Sequence, residues 1–205
     1  MIITGAPPAF CAGADLTALE QADDVSLRAI YGGFVRVFRS AIPSIAAING
    51  ATVGAGVNLA LACDLRLTGE SARIDTGFLH LDIHPGGGHT WLLQNELGVQ
   101  ATFALTAFGE TLDGEEAARR GFAWRCLPDD ELLAVAHELA ARAASHPAEL
   151  MSRLNGTIRE MVATQSYDDA LETEFERQIW SVHQPAFADA VAAMRARIEE
   201  KKRST

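Results

Sequence analysis

The sequence predicts an α/β domain with a largely parallel sheet, followed by an all-helical tail. Three observations carry this reading. Over residues 1–128, short apolar runs bounded by Gly, Pro and Asn alternate with helix-patterned segments, as parallel sheets require. After Asp129 the strand patterns stop and four helix-patterned segments follow in succession. The 205 residues are 48% hydrophobic and 21% charged, which is enough apolar material for a core and too much for a disordered chain. The expected division is therefore an α/β core over 1–128 and a helical segment over 129–205.

Each element has a local reason. Met1–Thr4 reads as the end of a buried strand, stopped by Gly5 and Pro7-Pro8. Phe10–Leu16 is a loop of small residues, with Asp15 or Thr17 placed to cap a following turn. Ser26 is expected to N-cap a helix reaching Ser40, because Leu27, Ile30, Tyr31, Phe34, Val37 and Phe38 fall on one helical stripe. Pro43 stops it, and Ser44–Ile48 is a short apolar strand closed by Asn49-Gly50. Ala51–Gly56 reads as a glycine-rich loop. Val57–Cys63 is apolar on nearly every face and reads as a buried helix. Leu65–Thr68 and Ala72–Asp75 are strands around the Gly69-Glu70 turn, and Thr76–Thr90 is irregular. Trp91–Leu97 and Gln100–Ala107 are two short helices parted at Gly98. Asp113 and Glu116 make a capping box for Glu115–Arg120, with Gly121 as its stop and Ala123–Leu127 as the next strand. Glu131–Ala144, Pro147–Val162, Tyr167–Val182 and Pro185–Lys201 are the four tail helices, two of them with proline in the first turn.

Composition narrows the function. Seventeen basic against 27 acidic residues leave a net charge of −10, which argues against a nucleic-acid partner. Cys11, Cys63 and Cys126 are too few and too scattered for a disulfide framework or a metal knuckle, so cytoplasm is the expected compartment. No apolar run approaches a membrane span, and no membrane partner is expected. Met1–Pro8 has neither a basic stretch nor an apolar one, so a secretory leader is not expected.

Two loops are candidates for chemistry. Phe10–Leu16 and Asn49–Asn58 each place small residues between a strand and a helix, where a ligand can approach the backbone closely. The second is not a P-loop, lacking Gly-Lys-Ser/Thr, and it lacks the GxGxxG dinucleotide fingerprint. Either alone also reads as a tight strand-to-helix corner. Together they offer two sets of outward N–H groups, the arrangement of an oxyanion hole, in which one donor is worth about 3 kcal/mol of barrier.

Phe10–Leu16, Ile42–Gly50, Ala62–Arg66 and Pro85–Thr90, in that order and with Gly121-Phe122-Ala123 following, resemble the crotonase family, the enoyl-CoA hydratases and isomerases. The resemblance implies a spiral of ββα turns with C-terminal helices that build trimers or dimers of trimers. It implies an acyl-CoA ligand whose thioester oxygen sits between the N–H groups of Ala12 and Ala55. By the same resemblance Ala12, Gly13, Ala14, Asp15 and Leu16 wrap the adenine end of CoA, Gly86 and Gly87 border the pocket, and Lys201–Arg203 can meet the phosphates. Coenzyme A enters as part of the substrate, and no further cofactor or metal is expected. Family members place strands and a helix ahead of the segment matching Met1–Thr4; without them the chain is expected to show exposed sheet edges and weaker CoA binding.

Two departures from the family pattern bear on mechanism. The glutamates that activate water fall at Asn58 and Phe78 here. Asn58 can hydrogen-bond but takes no proton, and Phe78 does neither. Hydration by two glutamates is therefore not expected, and a non-catalytic acyl-CoA binder, with Phe78 as an apolar wall, is the alternative. Substitutes lie in His80–His89, which holds three of the six histidines. If Leu79–Ile83 is extended, His80, Asp82 and His84 face one way and form a base with an orienting carboxylate. The same three could hold zinc, or lie on a plain surface. His84, next to the glycine loop, is the favoured base.

Overall fold

The computed structural model describes residues 1–203. They form two units, Met1–Ala143 and the residues from Ala144 onward.

The first unit carries eight strands: β1 (Ile2–Ile3), β2 (Ala9–Cys11), β3 (Ile45–Ile48), β4 (Ala51–Val53), β5 (Leu65–Gly69), β6 (Arg73–Asp75), β7 (Leu112–Asp113) and β8 (Arg125–Leu127). One sheet runs β1-β3-β5-β8 and the other β2-β4-β6-β7; every pairing is parallel except β6 with β7. From β1 to β6, successive strands alternate between the sheets. Helices then return the chain: α1 (Leu16–Glu20) and α2 (Asp24–Phe38) after β2, α3 (Ala55–Ala62) after β4, α4 (His89–Thr102) after β6. This is the ββα spiral that the motifs imply. α5 (Gly114–Arg119) and α6 (Leu132–Ala144) complete the unit.

β3 shows why such strands read as continuous apolar runs. Ala46 and Ile48 join the core of Val57, Leu61, Ile74, Leu93 and Phe122, while Ile45 and Ala47 pack with Leu67, Leu132 and Ala136 on the other face. Both faces are buried, so nothing on the strand alternates with polar residues. α6, which follows the expected boundary at 128/129, thus contributes Leu132 and Ala136 to the packing of the first unit.

Several expected boundaries move. α2 begins three residues earlier, because Asp23, not Ser26, is its N-cap; Ser26 sits at the third helical position and bonds back to the Asp23 N–H at 2.9 Å. Ala51–Val53 is a strand, not part of a loop, and pairs with β2 and β6. The α4 axis breaks at Gly98 (φ 79, ψ 173) as its sequence predicts, and a π-helical turn, Phe103–Ala107, continues it. Asp113 caps α5 by accepting from the Glu116 N–H at 2.8 Å, but the Glu116 carboxylate pairs with Arg119 and Arg120.

The second unit holds α7 (Ala148–Met161), α8 (Tyr167–Val182) and α9 (Pro185–Arg203). Arg177 of α8 donates to Thr157 Oγ1 of α7 at 2.6 Å and pairs with Glu160. The Arg153 guanidinium lies 4.0 Å above the Trp180 ring, a cation–π contact between the same two helices. Lys201–Arg203 form the last turn of α9. Among the described residues, no helix is long and apolar enough to cross a membrane.

Candidate functional site

The parallel pairing of β2 with β4, with Ala9 opposite Ala51 and Cys11 opposite Thr52, makes the two small-residue loops leave the sheet side by side. Their backbones then touch. A Cβ on Gly56 would lie 2.1 Å from the Cys11 carbonyl oxygen, and one on Gly13 would lie 3.0 Å from that of Val53. Only glycine permits the first approach. Ala55 is the first residue of α3, so the helix itself leaves its N–H unsatisfied. Among the described residues, no turn or loop hydrogen bond uses the N–H of Ala12 or of Ala55.

The two loops open onto a cavity of about 450 Å³. Ala12, Gly13, Ala14, Gly54 and Ala55 supply backbone to its wall. Leu16, Leu19, Leu27, Ile30 and Tyr31, from α1 and α2, make one apolar side; Phe78, Leu81 and Ile83 make another. The polar side chains facing it are few: Asn58, His80 and His84, besides the Tyr31 hydroxyl, with Gly86 beside them. Mostly apolar walls with a few polar groups are the usual make-up of a small-molecule site.

The histidine segment departs from the alternation expected of it. Phe78–Leu81 is a turn of 3-10 helix, and Asp82 is left-handed (φ 51), so Leu79–Ile83 is not extended. His80, Asp82 and His84 do not form one face, and Asp82 is not among the residues lining the cavity. The carboxylate that meets His80 is Asp75, at the end of β6, with Oδ2 3.1 Å from Nε2. Asp75 Oδ1 accepts from the Gly77 N–H at 2.8 Å, which holds the carboxylate in place. His84 Nδ1 donates to the Pro85 carbonyl at 2.7 Å, leaving Nε2 as its free nitrogen. Asp15 does not line the cavity either, because its carboxylate caps α1 by accepting from Ala18 N–H at 2.8 Å. Gly87 lies behind the wall, where a Cβ would meet the Phe34 ring at 2.5 Å. Among the described residues, no three His, Cys, Asp or Glu side chains gather as a metal would need.

One residue escaped the sequence reading. His89, the first residue of α4, is 1% exposed and lies behind Asn58. Its Nδ1 is 2.7 Å from Asn58 Oδ1, and the Phe78 ring meets it edge-on at 4.8 Å. Nε2 is buried without a hydrogen-bond partner. Burial pulls its pKa down to about 4, so the ring is neutral at pH 7. The sequence signal was its presence among the three clustered histidines, but nothing local marked it as buried.

The alternating strands, the paired loops and the apolar cavity are the architecture of a crotonase-type protein. The sequence profile described as enoyl-CoA hydratase/isomerase matches residues 1–200, and the chain belongs to this family of lyases and isomerases. A probable enoyl-CoA hydratase of Mycobacterium tuberculosis is 42% identical over 96% of this chain and 80% of its own length. The 1,2-epoxyphenylacetyl-CoA isomerase of Escherichia coli is 30% identical over 96% of this chain and 78% of its own. The crystal structure of a putative enoyl-CoA hydratase from Thermobifida fusca in complex with CoA superposes with a TM-score of 0.81 at 27% identity, covering 88% of this chain and 75% of that one.

Proposed function

We propose that this protein is an acyl-CoA enzyme that polarises a thioester carbonyl between the N–H groups of Ala12 and Ala55 and moves a proton with a rim histidine. The observation that carries the reading is the convergence of both loops, Asn58, His80 and His84 on one apolar cavity. The existence of a relative solved with CoA supports the ligand class. The apolar walls suit the acyl group, and Ala12–Leu16 suits the adenine end of CoA. Hydration by two glutamates is not part of the proposal, since the family resemblance puts the glutamate positions at Asn58 and Phe78, both of which line the cavity.

His80 is the proposed base, held by Asp75 through Nε2 so that Nδ1 is free to take a proton. Removal of the proton next to the thioester carbon leaves negative charge on the carbonyl oxygen, where the two N–H donors stabilise it. Returning the proton to a different carbon shifts a double bond. His84, with Nε2 free, is the second proton carrier at the mouth. The protein is proposed to work in the cytoplasm as a homo-oligomer, a trimer or a dimer of trimers.

A panel of 2-enoyl-, 3-enoyl- and β-ketoacyl-CoA substrates tests the reading. Turnover of at least one, reduced about 10²-fold in His80→Ala, is the expected result. Turnover unchanged in both His80→Ala and His84→Ala removes the proposed bases. Tight acyl-CoA binding with no turnover of any substrate favours the alternative, a non-catalytic binder, for which the loss of both glutamate positions is the specific observation.

A further inference from the structure

Asn58 carries more hydrogen bonds than a spectator on a pocket wall needs. Its Nδ2 donates to the Gly86 carbonyl at 3.0 Å, and an amide NH₂ can only donate, so the orientation of the side chain is settled. Its Oδ1 must then be the atom facing His89 Nδ1 at 2.7 Å, which places the ring proton on Nδ1. The neutral ring has one proton, so Nε2 keeps a bare lone pair, buried and unmatched. That arrangement is costly for a residue that serves packing alone. After both bonds, Asn58 retains one Nδ2 hydrogen. Asn58 lies three residues beyond Ala55 on α3, hence on the same face of the helix, and it lines the cavity.

We infer that His89 is a positioning residue that locks the Asn58 amide so that its spare N–H serves as a fixed donor to an oxygen near the thioester carbon of the bound acyl group. This rests on the acyl-CoA reading above. Without the His89 bond the amide keeps only its Gly86 contact, and its plane is free to rock about it.

Calorimetric titration of the full chain with acetoacetyl-CoA, which carries such an oxygen, and with butyryl-CoA, which does not, tests the inference. Nitrogen NMR of the His89 ring accompanies it. The expected results are about tenfold tighter binding of acetoacetyl-CoA, a ratio near one in His89→Leu, and a ratio restored in His89→Gln, whose amide can donate to Asn58. A packing role alone predicts that Leu serves as well as Gln. The ring is expected as the Nδ1–H tautomer at pH 7. An unchanged ratio in folded His89→Leu overturns the inference. If that variant does not fold, an Nε2–H or cationic ring in the wild type overturns it, and an Nδ1–H ring with an Asn58 amide signal that moves with acetoacetyl-CoA but not butyryl-CoA supports it. Binding of both esters without discrimination overturns this inference alone; binding of neither overturns the acyl-CoA reading with it.

Discussion

Gly56 backs onto Cys11 so tightly that any side chain there would strike the Cys11 carbonyl, 2.1 Å from where its Cβ would sit. This contact joins the two loops that carry Ala12 and Ala55. The Gly56→Ala protein is predicted to lose about 2 kcal/mol of stability and to bind acyl-CoA more weakly, because the loops must part. Chemical unfolding and a CoA-ester titration read the two effects. A Gly56→Ala protein of wild-type stability would mean that the loops are not in backbone contact.

Acid is predicted to weaken the fold through His89. Its folded pKa is about 4 against an ordinary 6.5, so the unfolded chain takes up the proton first as pH falls. The stability is complete above pH 6.5 and is lost between 6.5 and 4, by about 3 kcal/mol in all. Unfolding free energies at pH 7 and pH 5 for the wild type and His89→Gln measure it. The wild type should lose more than the variant; equal losses would place His89 outside the core.

Arg66 is predicted to be the costliest buried cation to remove. Its Nε donates to the Phe122 carbonyl at 2.6 Å, Nη1 to the Cys63 carbonyl at 2.8 Å, and Nη2 pairs with Glu96. Arg66→Met leaves buried carbonyls without donors, a loss of about 3 kcal/mol. Arg66→Lys should recover only part, since an ammonium cannot span the same fork. Full recovery by lysine in a denaturation series would show that charge, not geometry, matters there.

Thiol chemistry should separate the three cysteines. Cys63 is 3% exposed, and burial pushes its pKa up to about 11, while Cys11 and Cys126 are partly exposed. Iodoacetamide at pH 8 is predicted to leave Cys63 unmodified in the native protein and to label it after denaturation. Mass mapping that finds native Cys63 labelled would contradict its place in the core.

Most of the fold was legible because its signals are local. Tyr167–Val182 reads as a helix from residue patterning and is one, end to end, and Gly98 marks the break in α4. What was not legible depends on distant partners. Ala51–Val53 is a strand only because Cys11 and Ile74 lie on either side of it; its own residues look like a loop. The alternation of His80, Asp82 and His84 presumed extended backbone, which the left-handed Asp82 breaks. The turn instead brings His80 back to Asp75, five residues earlier. Asn58 and His89 are 31 residues apart, and no periodicity links a helix wall to the start of another helix. The two loops are legible from their small residues, Ala12 and Ala55 within them only from the family resemblance, and the register of β2 with β4 supplies the physical reason the loops meet.

The central claim is that a bound thioester carbonyl lies between the N–H groups of Ala12 and Ala55. Isotope-edited infrared spectroscopy of an acyl-CoA labelled at that carbonyl tests it without assuming any reaction. The account predicts a carbonyl stretch shifted to lower frequency in the saturated complex. A saturated complex whose carbonyl stretch stays where it is in water would contradict it.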